Sequence, residues 1–145
     1  MALAALAALA TGIGGCMPSP SAERPEPTVA VTDAFPVVQR QVAALPGVVD
    51  VDLTYTTGLS VGDGFDGSIE VEPTADLVAV LDDVHATLWT FEAFEPDTID
   101  VHAEVDGVVV ATAKDLGSEF ESMGMVQLRE RYGPWPGVGP TRARA

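Results

Sequence analysis

Few side chains in this sequence carry chemistry of their own. Cys16 is the single cysteine, and the two histidines, His85 and His102, stand in unrelated stretches. One thiol makes neither an intramolecular disulfide nor a cysteine-based zinc cage. Two isolated imidazoles make no catalytic pair that the sequence displays. No Walker loop or H-E-x-x-H helix occurs. The segment Gly62-Asp63-Gly64-Phe65-Asp66-Gly67 sets two carboxylates in a glycine-rich stretch, where a hard cation such as calcium would look for oxygen ligands. Asp63 and Asp66 are three apart rather than two, and no glutamate closes a twelve-residue frame. A flexible connection between strands is the competing account. The expectation is therefore no catalytic residue, no metal beyond the weak candidates Asp63 and Asp66, no cofactor, and a non-enzymatic role.

Charge is the more informative signal. The 145 residues hold 22 Asp and Glu against 7 Lys and Arg, for a net charge of −15. Nucleic acid is excluded as a partner, because phosphate neutralisation needs clustered Lys and Arg. Residues 41–113 contain 15 acids and neither Lys nor Arg, so the whole excess sits in one stretch. Period-two alternation sends Asp50, Asp52, Glu70, Glu72, Asp100, His102 and Glu104 to one side of their strands, opposite the apolar positions. Like charges on adjacent strands disfavour pairing. One reading is that a basic protein partner or a cation relieves the repulsion at this candidate interaction face. The other is a solvated outer face, screened beyond about 8 Å at physiological salt. The composition, with Lys114 as its one lysine, suits a GC-rich genome such as an actinobacterial one. A halophilic proteome explains the acidity equally well.

The elements that position these residues follow from hydrophobic period. Thr32 and Asp33 can cap a helix with Pro36 in its first turn; Phe35, Val38, Val42 and Leu45 form its stripe, and Pro46-Gly47 ends it. Val49, Val51, Leu53 and Tyr55 alternate with polar residues as a half-buried strand. A Gly/Asp-rich loop, Thr57 to Gly67, leads to a shorter strand with Ile69 and Val71. Pro73 and Thr74 start a second helix with the stripe Leu77, Leu81, Val84 and Leu88. His85 flanks that stripe and reads as a partly buried, hydrogen-bonded imidazole; His102 reads as a surface histidine. Trp89, Phe91 and Phe94 either line a small apolar pocket or fill the end of the core. Ile99 to Val105 and Val108 to Ala113 are strands joined by Asp106-Gly107, a two-residue turn that needs positive φ at both positions. Ser118 and Glu121 form the box S-x-x-E on a third helix carrying Phe120, Gly124, Met125, Leu128 and Tyr132, closed by Gly133 and Pro134. Trp135 either docks the tail or sits exposed as a contact residue.

The order α-β-β-α-β-β-α predicts an α+β two-layer sandwich, an antiparallel four-stranded sheet with its helices on one face. The passage Val42-Ala43-Ala44-Leu45-Pro46-Gly47-Val48 with Val51 resembles the opening of BON domains and of small ferredoxin-like heavy-metal-binding domains, over about twenty residues. The paired-cysteine loop of the latter is missing, so their metal transfer does not carry over.

The first sixteen residues carry an address. Met1 to Gly15 is uncharged, with an Ala/Leu run too short for a membrane span of about 20 residues but suited to a signal-peptide core. Ile13-Gly14-Gly15-Cys16 resembles the lipobox of bacterial lipoproteins, although no Lys or Arg precedes the apolar run. The resemblance implies diacylglycerol transfer to the Cys16 sulfur, cleavage before it, and fatty acylation of the new amine. The alternative is a buried N-terminal helix with an incidental cysteine. The expected organisation is a signal peptide over 1–15 and the lipidated cysteine with a Pro/Ser tether over 16–28. A single domain over 29–133 and a Pro/Arg tail over 134–145 follow. The sequence thus points to a lipoprotein anchored at the extracytoplasmic face of a cell membrane, acting as a binding domain. A cation-responsive structural module is the alternative.

Overall fold

The computed structural model of the chain describes residues 29–137. The expected signal peptide, Cys16 with its tether, and residues 138–145 of the tail lie outside the described residues. Apolar residues at three- and four-residue spacing produce two amphipathic helices, α1 (Val31–Ala43) and α2 (Leu77–Trp89). α1 buries Ala34, Val38 and Val42, and its Asp33 and Arg40 sit at the helix ends that favour their charges. Pro36 lies inside α1, beyond the first turn where it was expected. It is tolerated because Pro36 and Thr32 are both exposed, so the carbonyl left without an N–H is open to water. α2 starts later than Pro73-Thr74 suggests. Its cap is Asp76, whose carboxylate accepts from the Ala79 N–H at 3.1 Å.

Alternating sequences form β1 (Val48–Thr56), β2 (Gly64–Val71), β3 (Thr98–Val105) and β4 (Val108–Ala111). A two-residue β5 (Met123–Gly124) pairs with the start of β3. The order across the sheet is β1-β2-β3-β4. The pairs β1/β2 and β3/β4 are antiparallel, but β2 and β3 run parallel. The sheet is therefore mixed, which corrects the antiparallel expectation. The cause is α2. Its 13 residues, rising about 1.5 Å each, carry the chain back along the sheet to the end where β2 began. Adjacent strands joined by such a crossover must be parallel.

Both helices lie against one face. Leu53, Ile69, Val101 and Ala103 from the sheet meet Val38, Val42, Leu81 and Val84 in a continuous core. Val49, expected to point inward, is 61% exposed because a bulge falls between Val48 and Asp50. β2 begins at Gly64, so Gly64 to Gly67 belong to the strand rather than to the loop. Gly67 permits this: its φ is +138°, and a Cβ there would stand 2.0 Å from the Asp52 carbonyl oxygen. The Asp106-Gly107 turn has φ of +51° and +74°, as a tight two-residue hairpin requires.

The C-terminal third departs furthest from the pattern. β4 stops at Ala111, and a 3-10 helix spans Ala113–Leu116, capped where Lys114 N donates to Thr112 Oγ1 at 3.3 Å and Thr112 N to Asp115 Oδ2 at 2.9 Å. Ser118 does not cap a helix. Its hydroxyl donates to the Ser122 carbonyl at 2.8 Å and accepts from Phe120 N at 3.2 Å, closing a local turn, and Phe120 is 67% exposed. Pairing of Met123 with Ile99 holds this stretch extended, so strand pairing overrides the local helix signal. α3 (Met125–Tyr132) starts only after it, and the Gln127 side chain accepts from Gly124 N at 3.2 Å. Leu128 is fully buried on α3, with Met125 and Tyr132 packed beside the core, and Gly133 at φ +83° ends the helix.

Candidate functional site

The sheet face away from the helices collects carboxylates by register alone. Asp50, Glu70 and Glu104 lie side by side across β1, β2 and β3. Asp52, Ser68 and His102 form the next row, and Thr54, Asp66 and Asp100 the row after. Six of the seven expected face residues are thus brought together. Glu72 is not among them, since it lies past the end of β2 on an exposed turn. Asp66 joins instead, because the strand is longer than its glycine-rich sequence suggests.

Some of this charge is compensated locally. His102 Nε2 stands 2.9 Å from Glu104 Oε1, and Glu70 Oε1 accepts from the Asp106 N–H at 2.5 Å. Asp50, Asp52, Asp66 and Asp100 remain exposed. The Asp100 carboxyl is pushed above the usual carboxylate range, first by partial burial and then by the facing charge of Asp66. Neighbouring like charges at this separation cost a few tenths of a kcal/mol or more per pair.

The two loop aspartates do not act together. Asp63 accepts from Gly58 N at 3.3 Å, and its own N–H donates to Asp97 Oδ2 at 2.8 Å, which ties the loop to the approach of β3. Asp66 stands on the outer sheet face. Among the described residues, no group of three or more His, Cys, Asp or Glu side chains could hold a metal ion.

Ionisable groups inside the protein serve its packing. His85 is fully buried rather than partly so; its Nδ1 lies 2.9 Å from the Leu81 carbonyl and its Nε2 has no partner. Desolvation lowers its pKa to about 4, so the ring is neutral at pH 7. Glu95, also buried, accepts from Arg129 Nε at 2.6 Å and pairs with its terminal nitrogen. Arg131 clamps Asp82 through both nitrogens at 2.7 and 2.9 Å, and Tyr132 donates to the same carboxylate. The Arg131 hydrogen bonds hold the Asp82 carboxyl below its ordinary range. These pairs span 34 and 49 residues. No local pattern in the sequence announces them.

A cleft of about 450 Å³ opens on the helical side, between α1, the turn Thr90 to Glu92 and the segment Pro136-Gly137. Its third wall is held by two indoles. Trp89 Nε1 donates to the Gly133 carbonyl at 3.1 Å, and Trp135 Nε1 donates to the Phe91 carbonyl at 3.0 Å. Trp135 is therefore docked, not exposed, and the packed part of the chain reaches past Gly133. Of the three aromatics at and after the end of α2, Trp89, its last residue, and Phe94 fill the core, whereas Phe91 fills the core and also lines the cleft.

The structure defines a small α+β domain: a mixed sheet, a helical layer on one face with a cleft at its edge, and an acidic opposite face. Compared with family models, curated proteins and solved structures, the chain matches none.

Proposed function

We propose that this chain is a lipid-anchored binding domain at the extracytoplasmic face of a cell membrane, without catalytic activity, and that its acidic sheet face receives a basic protein partner. The observation that carries the reading is the alignment of Asp50, Glu70 and Glu104 with Asp66 and Asp100 on a sheet face that no described element covers. A flat carboxylate array does not exclude water from a reacting group, which disfavours catalysis there. It does attract a cationic partner and accelerate encounter in a salt-dependent way. The anchor rests on the Ile13-Gly14-Gly15-Cys16 motif, and no helix of the described residues is long and apolar enough to cross a membrane.

Two measurements test the two halves. Cys16→Ser, expressed from the native start, should move the protein from the membrane to the soluble fraction; identical partitioning of wild type and variant overturns the anchor. A lysine decamer as probe should bind the wild-type face with an affinity that drops as salt rises. The variant Asp50→Asn/Asp52→Asn/Glu104→Gln should bind it several-fold less tightly at low salt. Equal binding by the two proteins overturns the acidic-face reading. A rise in melting temperature with calcium that the triple variant lacks would favour the cation-responsive alternative.

A further inference from the structure

We infer that the cleft beside α1 is a binding site for a small organic cation, an ammonium group on an apolar body. The volume of about 450 Å³ falls in the range of small-molecule sites, roughly 300–1,000 Å³. Its floor is apolar, built from Ala34, Val38 and Phe91, all buried. Its rim carries two carboxylates, Asp33 on α1 and Glu92 after α2, and among the described residues no cationic side chain lines it. Among the described residues, neither carboxylate has an ion-pair or hydrogen-bond partner. A ligand with a buried apolar part and one positive charge satisfies floor and rim together. An anion would meet two like charges. A bare metal ion would find too few converging oxygens, as no three-ligand group exists among the described residues.

The construction of the third wall supports a built site. Trp135 is anchored through its indole N–H to the Phe91 carbonyl, on the residue that forms the floor. That bond fixes Pro136 and Gly137 against α1 and fixes the floor aromatic at the same time. Phe91 is further held edge-on to Phe65 and Phe94, at 5.0 and 4.7 Å between ring centroids. The site lies in the helical layer, on the opposite side of the sheet from the acidic rows, so it does not depend on the proposed role of that face.

Isothermal titration of the full chain with hexylammonium, hexanoate and 1-hexanol tests the inference. Hexylammonium should bind saturably at one site, with hexanoate and 1-hexanol at least tenfold weaker. Asp33→Asn/Glu92→Gln should weaken hexylammonium binding at least tenfold, while Asp50→Asn/Asp52→Asn/Glu104→Gln on the far face changes it less than twofold. Methyl shifts of Val37 and Val38 should move with the same saturation curve. Equal loss in the two variants would show only the general field of an acidic protein, and the inference would fall. Equal affinity for 1-hexanol, or unmoved Val37 and Val38 methyls, would overturn it as well.

Discussion

Asp66 and Asp100 face each other in register across the parallel β2/β3 pair, on the exposed side of the sheet. Sequence order hides this pairing, since 33 residues and a helix separate the two strand positions. The consequence is a raised Asp100 carboxyl, from partial burial first and Asp66 second. A carboxyl raised in the folded state binds its proton more readily there than in the unfolded chain. It therefore costs nothing well below the ordinary value of 3.8, and the cost develops as pH rises through and above that value. Asp100→Asn should accordingly stabilise the protein at pH 7 by a few tenths of a kcal/mol. The gain should shrink with added salt and vanish in acid. Melting curves of the two proteins at pH 7 and pH 3 decide it, and an equal gain at both pH values would sink the account.

The buried His85 makes the opposite pH prediction. Its pKa is lowered from 6.5 to about 4, chiefly by burial; Asp82 opposes the shift and Arg131 adds to it. A base held neutral in the fold leaves stability intact above pH 6.5 and removes it as pH falls toward 4. The full loss is roughly 3 kcal/mol. His85→Leu keeps the volume and removes both the orphaned Nε2 and the titration. The variant should show a flatter decline in stability between pH 6.5 and 4 than wild type. Parallel pH profiles from denaturant unfolding would refute the assignment.

What the sequence disclosed is what short-range rules govern. The stripe Leu81, Val84 and Leu88, the alternation of Ile99, Val101 and Ala103, and the Asp106-Gly107 turn are all local, and all stand where they were read. The acidic face was legible for the same reason, since period two alone assigns a residue to a side. What stayed hidden depends on contacts between distant segments. The parallel pairing is set by how α2 packs back on the sheet, and Val49 faces out because of a one-residue bulge in register. Ser118 and Glu121 spell a helix start that the pairing of Met123 with Ile99 overrides. The cleft had no signature at all. Asp33, Phe91 and Pro136 are brought together by the fold, and none announces the others.

The hairpin offers a clean test of backbone strain. A side chain at Gly107 would meet nothing within 4 Å, so any cost of substitution there comes from the positive φ of +74° rather than from a clash. Gly107→Ala should destabilise by about 1 kcal/mol, and Gly107→Val by more, since β-branching is poorly compatible with that region. Asp106→Gly should be nearly neutral, because glycine adopts the Asp106 φ of +51° freely. The three denaturation midpoints should rank Asp106→Gly, Gly107→Ala, Gly107→Val from highest to lowest. A midpoint unchanged by Gly107→Val would mean that the turn does not hold its two strands in register.

Trp135 ties the last described residues to the cleft, and its hydrogen bond can be removed without removing its ring. The indole N–H donates to the Phe91 carbonyl at 3.0 Å in a buried setting. Trp135→Phe keeps an aromatic body but leaves that carbonyl without its donor, at a cost of about 1–3 kcal/mol. Trp89→Phe removes the other indole bond, to the Gly133 carbonyl, yet Trp89 contacts the core and not the cleft. Both variants should lose stability, but the loss should differ in kind. In Trp135→Phe, backbone amide exchange at Gly137 should accelerate and the Phe91 ring signals should shift, with the α2 core still protected. In Trp89→Phe, protection should fall across the core, at Leu88 and Leu128 as well. If Trp135→Phe melts with unchanged stability and unchanged exchange at Gly137, the indole bond does not hold the third wall, and the cleft is not a fixed feature of the molecule.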